Sequence, residues 1–339
     1  MVCEMRVDIK LGLVSVVVAN YNHAKFLVRR VDSLINQTYQ DIEILIIDDC
    51  STDHSVAVLR RYESNPKVRL VFRQQNGGVV AVMNQGIELS SGEFVIFAQC
   101  DDDCDALQIE RLVSAMKAHP TAGIAYCRSL LIDEDDRVLG DDFSIRERSF
   151  RARCATDTLI GRAEMGRFLM SSCVIPNMSA ALIRRECFSV AGKLSPVYRV
   201  CCDWDLFFRI VECYDVAYVA EPMNKFRQHE STVRSVTKNR VVYEEYIRVL
   251  LGHIKVLNLT ALQRARFRAQ VMSLWAGLLL SPTWSGVKNF PYHVSLVIRH
   301  DALALLYLGP ALIWRIAQVG RILLFGRPET ARHKTNGTT

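Results

Sequence analysis

Leu13-Val-Ser-Val-Val-Val-Ala-Asn-Tyr-Asn22 is the stretch on which the fold turns. Its first six residues form a short, β-branched run, apolar on both faces, which marks a strand covered on both sides in a parallel sheet. The run breaks into Asn-Tyr-Asn, where such a strand would leave its sheet. The same rhythm then repeats. Apolar residues recur at helical spacing from Ala24 to Ile35, Ile42–Ile47 reads as a second strand, and Ser51-Thr-Asp-His54 predicts a helix start with a capping residue. Val68–Phe72 is a third strand, Asn76-Gly-Gly78 a turn, Val79–Leu89 a helix, and Phe94–Ala98 a fourth strand running into Asp101-Asp-Asp103. A helix from about Leu107 to Ala118 and a strand at Gly123–Tyr126 complete the pattern. This alternation predicts an α/β fold with a Rossmann-like, mostly parallel sheet flanked by helices.

Beyond Arg128 a polar segment rich in Asp and Arg reads as loop and edge structure to about Arg153. Met178–Ile183 and Cys202-Asp-Trp-Asp-Leu-Phe-Phe-Arg209 are two later anchors, and from about Val241 the chain turns helical and basic. The expected division is 1–240, in halves 13–127 and 128–240, followed by a helical basic extension over 241–339.

Of 339 residues, 50% are hydrophobic and 23% charged, with 17 Gly and 9 Pro, which excludes disordered and collagen-like classes. No run reaches the roughly 18 uninterrupted apolar residues of a spanning helix. The apolar stretch Leu13–Ala19, preceded by Glu4, Asp8 and Lys10, is too short and too acidic in its flanks for a secretory signal. A cytoplasmic chain with reduced thiols is expected from this and from its odd number of cysteines, 11. The net charge of +6 divides into 25 Lys+Arg against 31 Asp+Glu in residues 1–224 and 17 against 5 in 225–339. An acidic body therefore carries a basic tail.

In an open parallel sheet, ligands gather outside the carboxyl ends of the strands. Here those ends carry Tyr21 between two Asn, Asp48-Asp49, the Asn76-Gly-Gly78 turn and Asp101–Asp103. Three adjacent aspartates repel unless a cation sits among them, and hard oxygen donors suit Mg²⁺ or Mn²⁺. A solvated turn that caps the next helix would use the same residues. Asp49 is expected to be free to accept from a base or ribose, and Tyr21 offers a stacking surface. No Gly-x-Gly-x-x-Gly follows the first strand and no Walker lysine is present, so neither a dinucleotide fold nor a P-loop is supported.

With these residues in place, the chain resembles the inverting GT-A glycosyltransferases of family 2 from about Leu13 to about Thr232. Ser15–Asn22, Leu34–Tyr39, Ile46–Asp53, Asn76–Gly86 and Gly92–Phe97 match that family's nucleotide-binding half in order and spacing. The resemblance implies a GT-A-like fold that moves a sugar from a nucleoside diphosphate sugar, UDP or dTDP favoured, to an acceptor hydroxyl with inversion. It implies base and ribose contacts at Ala19, Tyr21 and Asp49, and Mn²⁺ or Mg²⁺ at Asp101, Asp102 or Asp103, with the choice among them open. Asp101, Arg227 and His229 would face the diphosphate, and Asp203 would be the catalytic base. Departures from the family pattern at Met83, Gln99, Cys100 and Cys202 motivate a degenerate, non-catalytic glycan-binding protein as one alternative. A sugar-phosphate nucleotidyltransferase is the other.

In the tail, Arg315, Gln318 and Arg321 punctuate the apolar runs Leu303–Leu308, Pro310–Ile316 and Val319–Phe325 at helical spacing. Such helices either lie peripherally on an anionic membrane surface or pack on protein. With the family, the tail implies a glycan or lipid-linked acceptor in surface polysaccharide synthesis; no nucleic acid partner is expected.

Overall fold

Strand β1, Lys10–Asn20, runs inside the sheet, and Val14, Val16, Val17 and Val18 along it are each no more than 1% exposed. The computed structural model describes residues 8–230, 237–280 and 285–325. The chain divides into two compact units, Met1–Thr237 and Lys238–Thr339.

In the first unit, β1 is followed by α1 (Ala24–Ile35), β2 (Ile42–Asp48), α2 (Ser55–Leu59), β3 (Val68–Phe72), α3 (Val79–Leu89) and β4 (Gly92–Phe97). Then come β5 (Asp103–Cys104), α4 (Gln108–Ala118), β6 (Ala122–Ile132), β7 (Val138–Asp141), α5 (Arg148–Arg153), β8 (Thr158–Ile160) and α6 (Arg162–Ser171). The unit continues through β9 (Ala181–Arg184), α7 (Glu186–Val190), α8 (Cys202–Val211) and β10 (Asp215–Arg227). One ten-stranded sheet has the order β3-β2-β1-β4-β9-β6-β10-β5, with β7 beside β6 and β8 beside β10. β1 to β4 pair in parallel, and the short β9 is antiparallel to both β4 and β6. β6 and β10 are parallel to each other, so all the longer strands point one way, and the sheet is mostly parallel as the sequence predicts. The residues expected to form the site are therefore placed along one edge.

Two local expectations need correction. Helix α2 starts at Ser55, not at Ser51, because the Ser51 hydroxyl is taken up by Asn20, Asn22 and Asp48 in the neighbouring loops. The strand expected at Gly123–Tyr126 extends to Ile132 and turns back as β7, which pairs with β6 alone, within the segment expected as loop and edge structure. Its polar residues are used: Arg128 Nε donates to the Tyr218 hydroxyl, and the Ser129 amide donates to the buried Asp142.

The second unit is helical: α9 (Asn239–His253), α10 (Ala261–Leu279), α11 (Ser285–Lys288), α12 (Phe290–Asp301), a 3-10 segment (Ala302–Tyr307) and α13 (Leu308–Phe325). The side chains of Gln318 and Arg321 lie outside the described residues. Thr260 and Gln263 close the start of α10 with a reciprocal capping box, and that helix buries Phe267, Val271, Met272 and Trp275. Arg268 on α10 is paired at 2.7 Å with Asp301, which is 3% exposed.

Helix α3 presses on β1 at Gly86, where an added Cβ would stand 2.2 Å from a Val17 methyl carbon. Gly86→Ala should overpack this contact and lower the unfolding free energy by about 1–3 kcal/mol, read as a shift in the urea midpoint at unchanged slope. An unshifted midpoint would show that helix and strand can separate at no cost.

Candidate functional site

The first two strands end in a single hydrogen-bonded patch. Asn20 Nδ2 donates to Asp48 Oδ1 at 2.6 Å, the Ser51 hydroxyl donates to the same oxygen at 2.6 Å, and the Asn22 amide donates to Ser51 Oγ at 3.0 Å. Asn22 itself is in the left-handed region at φ 57, and its Oδ1 accepts from the Thr52 amide at 2.7 Å. This patch holds Tyr21 outward, 45% exposed, while Ala19 is half-buried beside it. The exposure that a stacking ring requires is present.

Asp49 departs from expectation. Its Oδ1 accepts from Arg73 Nη1 at 2.6 Å and from the Gly77 amide at 3.0 Å, and its Oδ2 accepts from the Gly78 amide at 2.8 Å. The side chain is 3% exposed. A carboxylate engaged in this way is not free for a ribose; it folds the Asn76-Gly-Gly78 turn around itself. Gly78 sits at φ 81, which an L side chain would strain, so the glycine is needed for its amide to point at Asp49.

The three aspartates after β4 diverge. Asp101 Oδ2 meets His229 Nε2 at 2.8 Å, with the imidazole 1% exposed and the carboxylate 18% exposed. Asp102 accepts from Asn177 Nδ2 at 2.6 Å and from the Arg227 amide at 3.0 Å. Asp103 pairs with Lys225 Nζ at 2.9 Å. Each therefore titrates in its own surroundings. Burial and then the adjacent charge of Asp101 push the Asp102 carboxyl up to about 7. Burial also works against ionised Asp101, but the hydrogen bond from His229 and the fields of His23 and His229 outweigh it and leave Asp101 below the usual carboxylate range. Asp103 is likewise lowered, with the Lys225 hydrogen bond outweighing burial. His23 and Phe26 close over His229, with ring centroids 5.9 and 5.5 Å away, and burial lowers the His23 imidazole.

Among the described residues, no group of three or more His, Cys, Asp and Glu is placed to hold a metal ion. The donor chemistry nevertheless fits a divalent cation at one point, where the Asp101 carboxylate and the His229 imidazole converge. Asp102 and Asp103 face away, held by Asn177 and Lys225. The expectation left open which of Asp101, Asp102 and Asp103 would bind the ion; of the three, Asp101 is the one that faces an imidazole.

Arg227 also has a different place from the one expected. It is 1% exposed and lies over the Phe26 ring at 5.0 Å. Its Nε donates to the Asp101 carbonyl at 2.7 Å, Nη1 to the Asp133 carbonyl at 2.5 Å and Nη2 to Asp136 at 2.6 Å. The guanidinium ties the aspartate turn to the β6–β7 hairpin and is closed off from a diphosphate. Sequence reasoning missed Asn177, Asn224 and Asp136. Asn224, fully buried, joins Ser129 at 2.8 Å and Asn177 at 3.1 Å, and its place between Met223 and Lys225 on a strand carries no local signal of that role.

Asp203 stands in the first turn of α8, half-buried, and its Oδ1 accepts from the Trp204 amide at 2.7 Å. Helix α8 rises about 15 Å over its length and leads by a short turn into β10. Asp205, two residues on, is locked at 2.9 Å to Arg209 and is 6% exposed.

Residues 15–189, just over half of the chain, match the family model described as glycosyl transferase family 2. The chain belongs to that family. It is 30% identical to the glycosyltransferase GlyG of Streptococcus pneumoniae over 52% of its own length and 58% of that protein's. It is 25% identical to an uncharacterised glycosyltransferase of Rickettsia prowazekii over 75% of both chains, and 28% identical to the chondroitin synthase of Pasteurella multocida over 41% of its own length and 14% of the synthase. The chain thus spans little more than half the length of GlyG. Among solved structures, S. aureus TarS 1-349 in complex with UDP-GlcNAc superposes with a TM-score of 0.67 over 94% of this chain and 93% of that one, at 16% identity. That likeness is one of fold, the GT-A-like arrangement the sequence implies.

If Arg227 is a clamp, Arg227→Gln should lower the unfolding free energy by roughly 1–3 kcal/mol, because it leaves the Asp101 and Asp133 carbonyls without their donor and Asp136 with Arg29 alone. Urea unfolding measures this. Normal stability together with a lost affinity for UDP would instead return Arg227 to the diphosphate.

Proposed function

We propose that the chain transfers one sugar from a nucleoside diphosphate sugar, with uracil or thymine as the base, to an acceptor hydroxyl with inversion, in the synthesis of a surface polysaccharide or lipid-linked glycan. The observation that carries this reading is the meeting of Asp101 and His229, beside exposed Tyr21, at the carboxyl edge of the sheet of a family 2 chain. TarS, bound to UDP-GlcNAc in its crystal structure, and the chondroitin synthase among the relatives support the donor class and the polysaccharide setting.

Tyr21 stacks on the base, and the turn that Asp49 holds shapes the wall beside it. Asp101 and His229 would hold Mn²⁺ or Mg²⁺, which when bound supplies positive charge to the departing diphosphate. His23 and Phe26 cover His229 and keep water from the pair. Asp203 accepts the proton of the acceptor hydroxyl as its oxygen forms the new bond to the anomeric carbon. The bond from that carbon to the diphosphate breaks, and the configuration inverts.

Calorimetry with UDP, with and without Mn²⁺, tests the pair. Asp101→Asn and His229→Asn should each weaken metal-dependent binding by roughly tenfold or more, whereas Asp103→Asn should change it little. Binding that is indifferent to EDTA and to both first variants would overturn the assignment.

Release of UDP from a turned-over donor tests the base. Asp203→Asn should slow it by roughly 10²–10⁴-fold at unchanged UDP affinity. A near-normal rate would remove Asp203 from the chemistry, and an equal loss of UDP affinity would move it to the donor. A chain that binds UDP sugars but neither transfers nor hydrolyses them, under any metal, would be the non-catalytic relative.

A further inference from the structure

From Ala302 to Ala317 every exposed position is apolar or a backbone residue: Ala302, Leu303, Leu306, Gly309, Pro310, Ile313, Trp314, Ile316 and Ala317. The larger side chains are fully presented, with Leu306 73%, Ile313 71% and Trp314 52% exposed. Ala304 and Ala311, seven residues apart, are buried in the unit, while Leu306 and Ile313, also seven apart, point away from it. The one charged residue of the run, Arg315, is half-buried: its Nε donates to the Ser273 carbonyl at 3.1 Å and its guanidinium lies 5.6 Å from the Trp314 ring centre. With exposed Arg266 it flanks Trp314 around a cavity of about 550 Å³ that also takes in Tyr307 and Pro310.

We propose that this face of the second unit seats on an anionic lipid surface. Charge complementarity selects this occupant. Residues 238–339 carry 14 Lys+Arg against 4 Asp+Glu, a net +10, whereas residues 1–237 carry 28 against 32, a net −4. A second copy would bring the same positive unit against itself, whereas a leaflet of anionic headgroups meets it with opposite charge. Arg266 and Arg315 stand at the margin of the apolar strip with Trp314 and Tyr307, the residue types that occupy the headgroup level. The run Phe290–Ala317 is long and apolar enough to cross a bilayer by length and composition alone. It is interrupted at Asp301, which leaves helical geometry at φ −156 and ψ 90 and is paired with Arg268. One side of the run is also packed on its own unit, so it lies along the interface.

The test uses the full chain and vesicles of phosphatidylglycerol with phosphatidylcholine, against phosphatidylcholine alone. Wild type should sediment with the anionic vesicles and be released by high salt. The double variant Leu306→Glu/Ile313→Glu, which changes only exposed positions, should bind them roughly tenfold less or worse with an unchanged circular dichroism spectrum. As an arm that does not rely on that variant, brominated lipid should quench part of the tryptophan emission, and Trp314→Phe should remove that part. Equal sedimentation of wild type and double variant would overturn the proposal. So would an absence of vesicle binding together with a dimer that the double variant dissociates, which would assign the face to a second copy.

Discussion

Three neighbouring carboxylates cannot share one end of a strand unless each is given a different compensating partner. Most of the first unit's later half answers that constraint. The last residues of β10 and the turn after it supply Lys225 to Asp103, the Arg227 amide to Asp102, the Arg227 side chain to the backbone of Asp101, and His229 to the Asp101 carboxylate. Lys225 and Arg227 lie two apart on an extended strand and so reach the same side. The result is a graded set: one acid pushed up by burial, one in an ion pair, and one facing an imidazole.

The same economy runs through the other half of the edge. Asp48, the last residue of β2, and Asp49 just after it serve different partners, one stitching the ends of β1 and β2 together and the other organising the glycine turn after β3. Both are buried, at 2% exposure, and both are fully engaged by hydrogen bonds that offset the cost of burial. The exposed surface at this end of the strands is thus held in place by acids that are themselves buried.

How much of this was legible in the sequence follows from the range of the interactions. The strands β1 to β4 were readable because Leu13–Val18 or Ile42–Ile47 carries its own evidence of burial, and the edge they define follows from parallel pairing. The family pattern placed Arg227 and His229 in the neighbourhood of the aspartates, where they contact Asp102 and Asp101. What was not legible was the job each polar side chain holds. Ser51 has the identity of a helix cap, yet its hydroxyl is taken by Asp48 three residues before it and by Asn20 and Asn22, 31 and 29 residues away. Asp49 looked free because Arg73 and the glycine amides that engage it come from the end of another strand. Arg227 was read as a ligand contact because guanidinium groups near diphosphates usually are, and nothing local announces a side chain buried to 1%.

The separation of these partners along the chain has a consequence for how the molecule is made. Asp101 and His229 are 128 residues apart, and Arg227 is 125 and 126 residues from the groups it joins in the aspartate turn. During synthesis β1 to β4 can pair as soon as they emerge, yet the turn beyond β4 then has only Arg30 and His23 of the earlier chain to oppose its three negative charges until β10 arrives. Closing so long a loop is slow. A nascent chain that stops short of β10 therefore has a nearly complete nucleotide half with a self-repelling rim, and the late docking of one strand converts that rim into a site.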